Sequence, residues 1–139
     1  MTTAKVSVEV KASADQVFAR LGDFAGVEGP MIKSKKITGS GIGCLRDLTL
    51  ANGARVIERC ENHDANSRTL TYSIQNDDHP LPFSAYVATL IVTPTGDKTC
   101  RVDWFSNFNA KGAPEDEAIK VAQGIYTGAI KGVQIALGV

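Results

Sequence analysis

The sequence predicts an α+β domain in which a strongly bent antiparallel sheet packs around a long C-terminal helix. Three observations predict it. Residues 5–11 alternate apolar and polar at period two, positions 33–109 hold strand-like runs separated by short turn-rich breaks, and residues 114–137 carry helical periodicity. Period-two alternation marks half-buried strands, and breaks of this length join them as antiparallel hairpins. A helix following such a run buries its apolar stripe on one face of the sheet. The 139 residues amount to one domain, 1–139, able to build a core without disulfides or metal.

The first strand places Val6, Val8 and Val10 on one face and Ser7 and Glu9 on the other. Ser13-Ala14-Asp15-Gln16 has the form of a capping box, with Ser13 at the N-cap and Gln16 set to bond back. Val17, Phe18 and Leu21 follow at helical spacing and Gly22 closes this short helix. The Gly-rich stretch 23–30 is expected to hold a second short helical turn and a bend. Six further strands are predicted over 33–39, 43–50, 54–62, 68–75, 84–94 and 98–109, which makes seven in all. Pro114 stands at the start of the last helix, with Glu115, Asp116 and Glu117 where the helix dipole favours negative charge. Its expected buried stripe is Ala118, Val121, Ala122, Ile125, Ala129 and Val133. Gly124, Gly128 and Gly132 recur every four residues, each costing about 1 kcal/mol relative to Ala. A smooth ridge facing the sheet, with space left beside it for a cavity, would account for them.

Fifteen basic and fifteen acidic residues cancel, which excludes the broad positive field of non-specific nucleic-acid binding. No apolar run approaches the ~18 residues of a membrane span. The N-terminus lacks the apolar core of a signal peptide, so a cytosolic protein is expected, as monomer or homodimer. Cys44, Cys60 and Cys100 are odd in number, have no CxxC spacing and lie in strands, so they read as small buried hydrophobes. Gly39-Ser40-Gly41-Ile42-Gly43 precedes a strand instead of a helix and lacks a Lys-Ser/Thr, so it reads as a turn and not a phosphate loop. His63 reads as a solvated turn residue, and no cluster has metal-ligand spacing; neither a cofactor nor a metal is expected. Ser106 lacks a His–acid partner for a hydrolase triad.

The turn Ala51-Asn52-Gly53 sets a register. As a three-residue loop with Gly53 left-handed, it pairs Leu50 with Ala54, Leu48 with Val56 and Arg46 with Glu58. Leu48, Leu50, Val56 and Cys60 then share the inner face, a better division than a two-residue loop allows, and register is all-or-none for a strand. Arg46 and Glu58 consequently meet on the concave side, where a charge persists only when paired. The pair has two readings, a ligand anchor or an architectural ion pair. Inward alternation on the later strands adds Tyr72, Tyr86, Trp104 and Phe108 to the lining, and the helix adds Val121, Ile125 and Ala129. A buried phenol needs a partner for its hydroxyl, so the two tyrosines carry the most information.

Element order and local sequence resemble the START-like, or birch-pollen-allergen-like (SRPBCC), superfamily over essentially the whole chain. The matching segments are Ile42-Gly43-Cys44-Leu45-Arg46-Asp47, Ile57-Glu58-Arg59, Tyr72-Ser73-Ile74, Pro80-Leu81-Pro82 with Tyr86, and Gly112-Ala113-Pro114-Glu115. More narrowly the chain is similar to bacterial polyketide cyclase/dehydrase-type members, and more distantly to plant abscisic-acid receptors. The resemblance implies a helix-grip fold: a seven-stranded curved sheet around the C-terminal helix, two short helices after strand 1, and an apolar cavity between sheet and last helix. It implies a small hydrophobic or amphipathic ligand, with Arg46 and Glu58 at inward polar positions and Leu81 and Phe83 in a loop at the pocket mouth. His79 is displaced from the receptors' loop histidine, and Gly29 stands where they carry a ligand-pairing lysine, which disfavours hormone reception. Two functions remain: a non-catalytic carrier or sensor of a small hydrophobic molecule, or a cyclase/dehydratase. In the second, Glu58 or a tyrosine would move protons and Arg46 would stabilise enolate charge. The first is preferred because no carboxylate–histidine pair is present.

Overall fold

The computed structural model describes the whole chain, Met1–Val139. It forms β1 (Thr2–Val10), α1 (Ala14–Leu21), β2 (Ile32–Thr38), β3 (Leu45–Leu50), β4 (Arg55–Asp64), β5 (Thr69–Ile74), β6 (Phe83–Gly96), β7 (Thr99–Ala110) and α2 (Glu115–Leu137). All seven strands make one antiparallel sheet in the order β1-β7-β6-β5-β4-β3-β2. Strands β2 to β7 meander through short hairpins, and β1 closes the far edge against β7. The other edge, β2, is exposed and carries Lys33, Lys35 and Lys36, charges that discourage edge-to-edge pairing with another chain.

The capping box forms as expected. Ser13 Oγ accepts the Gln16 N–H at 3.2 Å, and Gln16 Oε1 accepts the Ser13 N–H at 3.3 Å. Residues 23–30, however, form turns and no second short helix. The Asp23 carboxylate accepts the Gly26 N–H at 3.1 Å, the local side-chain bond that competes with helix, and Gly26, Gly29 and Pro30 supply no helical support. The chain instead folds over the concave face and buries Phe24.

Helix α2 lies across β1 and β7, with α1 beside it over β6 and β7. Its buried residues are Ala118, Ala122, Tyr126, Ile130 and Val133. Val121 and Ile125, expected on that stripe, are 40% and 42% exposed, and Ala129 is half-buried. The two stripes share Ala118, Ala122 and Val133 and differ by about one residue's rotation of the helix. Apolar side chains occur on both, so periodicity left the choice open. Tyr126 decides it, because its ring stacks on Trp104 at 4.7 Å between centroids. The same rotation turns the glycine ridge outward: Gly124, Gly128 and Gly132 have open space where a Cβ would stand. No helix is long and apolar enough to cross a membrane.

Because nothing packs on the ridge, Gly128→Ala should raise stability by about 0.5–1 kcal/mol, read as a higher denaturant midpoint at unchanged slope. A lower midpoint would place that face in contact.

Candidate functional site

The hairpin of β3 and β4 has the register that its turn predicts. Gly53 is left-handed at φ 86°, Leu50 N–H donates to Ala54 O at 2.8 Å, and Leu48 faces Val56 as Arg46 faces Glu58. Period two then sends Arg46, Leu48, Val56, Glu58 and Cys60 into the buried concave side. Leu50, at the strand end, is half-buried. Arg55 and Asp47 pair on the outer face instead.

Arg46 and Glu58 are among the few charged residues buried in the chain, at 7% and 8% exposure. Arg46 Nε donates to Glu58 Oε1 at 2.8 Å, and its Nη1 donates to the Phe24 carbonyl at 3.1 Å. The guanidinium carbon sits 4.0 Å from the centroid of the Phe24 ring and 5.0 Å from that of Tyr72. Two aromatic faces, a carboxylate and a carbonyl therefore replace the water that this cation has lost.

Deeper in, the three tyrosines of the chain converge. Trp104 Nε1–H donates to Tyr72 OH at 3.2 Å, and the Tyr86 and Tyr126 hydroxyls hydrogen-bond each other. Burial is the main cause that raises all three phenols, Tyr126 to about 12 and Tyr72 and Tyr86 further. They are neutral hydrogen-bonding groups at physiological pH. Tyr86 points inward through an irregularity in β6: the register shifts between Ser84 and Val87, and Ala85 takes a left-handed φ of 51°. That one extra residue lets Phe83 and Tyr86 both face the interior. Phe83 packs on Phe108 at 4.7 Å and on Tyr86 at 5.0 Å, and Leu81 packs half-buried against the same core.

Beneath α2, where the cavity was expected, the aromatic cluster packs against the helix. Tyr126, unanticipated on the buried stripe, belongs to it. A cleft of about 490 Å³ lies instead at the C-terminal end of α1, lined by Phe18, Phe24, Cys44, Cys60 and His63 and by the Gly39–Gly41 turn. His63 is thus a cleft residue, its ring 5.3 Å from that of Phe18. Phe24 belongs to both places: it walls the cleft and covers the Arg46 guanidinium. No three His, Cys, Asp or Glu side chains gather as a metal site.

Residues 1–137 match the family described as polyketide cyclase/dehydrase and lipid transport. The chain belongs to that family. It is similar to XoxI from Bacillus cereus, at 33% identity over 98% of this chain and 95% of that one, with a TM-score of 0.86. An uncharacterised protein of Bacillus thuringiensis matches at 33% identity over 97% and 98% of the two chains, TM-score 0.85. Norcoclaurine synthase from Thalictrum flavum, solved with dopamine and hydroxybenzaldehyde, shares the fold at 20% identity, covering 98% of this chain and 85% of that one with a TM-score of 0.73. No curated protein matches the chain by sequence.

Of the residues that sequence singled out in this polyketide cyclase/dehydrase-family chain, Arg46, Glu58, Tyr72, Tyr86, Trp104 and Phe108 come together in one interior. Leu48 and Val56 lie on the same inner face of β3 and β4. Val121 and Ile125 face away from it. Phe24 and Tyr126 are members of the cluster that the sequence reading missed. An aromatic inside a Gly-rich turn was the available signal for Phe24, since such a turn has little else to bury. His79, in the β5–β6 loop, is buried apart from the cleft, its carbonyl accepting from Lys111 Nζ at 3.1 Å.

A phenol held above its ordinary value stabilises the fold at neutral pH, because the unfolded chain releases that proton first. The contribution is intact below pH ~10 and is lost as pH rises through about 12 and beyond. A spectrophotometric titration should show no tyrosinate near pH ~10 while the fold holds, then ionisation of all the tyrosines together on unfolding. Arg46→Met, which strands a buried carboxylate, should cost about 3–5 kcal/mol in denaturant unfolding, and Arg46→Met with Glu58→Gln should cost less than the single change.

Proposed function

We propose that this protein binds a small apolar molecule bearing a carboxylate, enol or carbonyl oxygen, as a carrier or sensor, and that the ligand enters through the cleft at α1. The observation that carries this reading is the double position of Phe24. Phe24 lines the cleft, and its ring centroid lies 4.0 Å from the Arg46 guanidinium carbon. A ligand that displaces that ring exchanges a cation–π contact of about 0.5–2 kcal/mol for a charge-assisted hydrogen bond to its own oxygen. Leu48, Leu50 and Val56 extend the inner wall with apolar surface, and the Tyr72 ring centroid lies 5.0 Å from the guanidinium carbon with its neutral hydroxyl on Trp104. An apolar pocket with a few convergent polar groups is the general form of a small-molecule site. The family description includes lipid transport. The norcoclaurine synthase structure, with dopamine and hydroxybenzaldehyde, indicates that this fold accommodates oxygenated aromatics.

A cyclase or dehydratase is the second reading, with Glu58 as proton carrier and Arg46 stabilising an enolate; the carboxylate and guanidinium beside a phenol favour it. Binding alone is preferred, because the Glu58 carboxylate is engaged by Arg46 at 2.8 Å and the buried phenols stay protonated. Neither is poised as a base.

Trp104 is the only tryptophan in the chain and sits between Tyr72 and Tyr126, so its emission reports entry into this interior. Titration with 1-naphthoic acid and with naphthalene should quench Trp104, the acid binding at least about tenfold more tightly. The preference should vanish in the Arg46→Met/Glu58→Gln protein. Unchanged emission across both titrations, or equal affinities in the wild type, would refute the reading. Turnover of a polyketide-like ketone, abolished by Glu58→Gln with the fold intact, would establish the enzyme instead.

A further inference from the structure

The floor of the cleft holds two thiols that the family reading leaves unused. Cys44 and Cys60 stand opposite each other at the end of the β3–β4 ladder. Cys60 N–H donates to Cys44 O at 2.9 Å, and Gly43 N–H donates to Cys60 O at 2.7 Å. Gly43, just before β3, is left-handed at φ 91°, so it takes up one extra residue as a bulge and leaves Cys44 alongside Cys60. The single Cys60-to-Cys44 backbone bond, with Cys44 N–H turned to Gly41 O at 3.2 Å, still holds the strands at ladder spacing, about 4.5–5.5 Å between facing Cα atoms, inside the range of roughly 4.4–6.8 Å that a disulfide spans. Their side chains point the same way, since both line the cleft. The third thiol, Cys100 on β7, is fully buried and stands apart from the cleft.

We propose that Cys44 and Cys60 form a modification site, a cross-strand dithiol that a peroxide entering the cleft converts reversibly to a disulfide. The Cys44 thiolate attacks one oxygen of hydrogen peroxide, the O–O bond breaks, and the departing oxygen leaves as water, making Cys44 a sulfenic acid. The Cys60 sulfur then displaces the sulfenic oxygen, which takes a proton and leaves as a second water while the S–S bond forms. Two thiols and one peroxide thus give one disulfide and two waters. The order follows from exposure: Cys44 is 5% and Cys60 2% accessible. Burial, with the neighbouring Cys44 next in effect, also raises the Cys60 thiol, so closure speeds up as pH rises. Closing the bond ties the entry of β3 to β4, in the lining of the cleft that Phe24 shares. Thiol exchange with a small reductant reopens it.

The test uses the folded full-length chain, oxidised with hydrogen peroxide, alkylated and weighed intact. The expected product has one free thiol in place of three, and before alkylation has lost about 2 Da. Proteolysis should yield the Cys44 and Cys60 peptides linked, and dithiothreitol should separate them. Cys100→Ser should oxidise like the wild type, whereas Cys44→Ser and Cys60→Ser should form no intramolecular link. Retention of all three free thiols, a linkage through Cys100, or an intramolecular link surviving in Cys44→Ser would overturn the assignment. The wild-type and Cys100→Ser results decide the matter even where a cleft variant folds poorly.

Discussion

A single buried guanidinium organises the concave side of this sheet. Arg46 is carried inward by the register of β3, and a cation there must be paired on every face or the fold loses several kcal/mol. Glu58 answers from the opposite strand at 2.8 Å, the Phe24 carbonyl takes a second nitrogen, and the rings of Phe24 and Tyr72 cover the guanidinium. The loop after α1 is therefore more than a connection. By folding over the sheet it brings Phe24 to the guanidinium, and the cleft remains where the loop stops short of the β2–β3 turn.

The phenols and indole behind Arg46 satisfy one another. The Tyr72 hydroxyl receives Trp104, and those of Tyr86 and Tyr126 bond each other. This chain of contacts joins β5, β6, β7 and α2, so the position of α2 is set by a phenol and an indole as much as by its aliphatic stripe. The β6 irregularity belongs to the same economy. Ala85 accepts a left-handed backbone, which costs an L-residue about 1–2 kcal/mol, and in exchange Tyr86 reaches Tyr126.

Much of this was legible along the chain. Strand alternation, the Ser13–Gln16 box and the Ala51-Asn52-Gly53 turn each rest on local geometry, and a three-residue loop with Gly53 left-handed implies the Arg46–Glu58 pairing without further information. The candidate site was legible to the extent that its residues lie on strands, where side-chain direction follows from counting by two. Helix α2 offered no such certainty. Val121 and Ile125 are as apolar as Ile130, and only the fit of Tyr126 against Trp104 selects the face. Residues 23–30 were misread for a related reason: a Gly-rich stretch leaves its conformation to whatever it packs on.

By itself, then, the sequence determined the element order, the strand register and the burial of an arginine–glutamate pair, because hydrogen-bond ladders and period-two sterics act between near neighbours. Tertiary structure alone decided that Tyr126 packs beneath α2, that the glycine ridge faces outward, and that a cleft opens beside Phe24 with Cys44 and Cys60 in its lining. Those outcomes depend on how large side chains from distant segments share one interior. Close packing settles such a competition only when all the participants are present together.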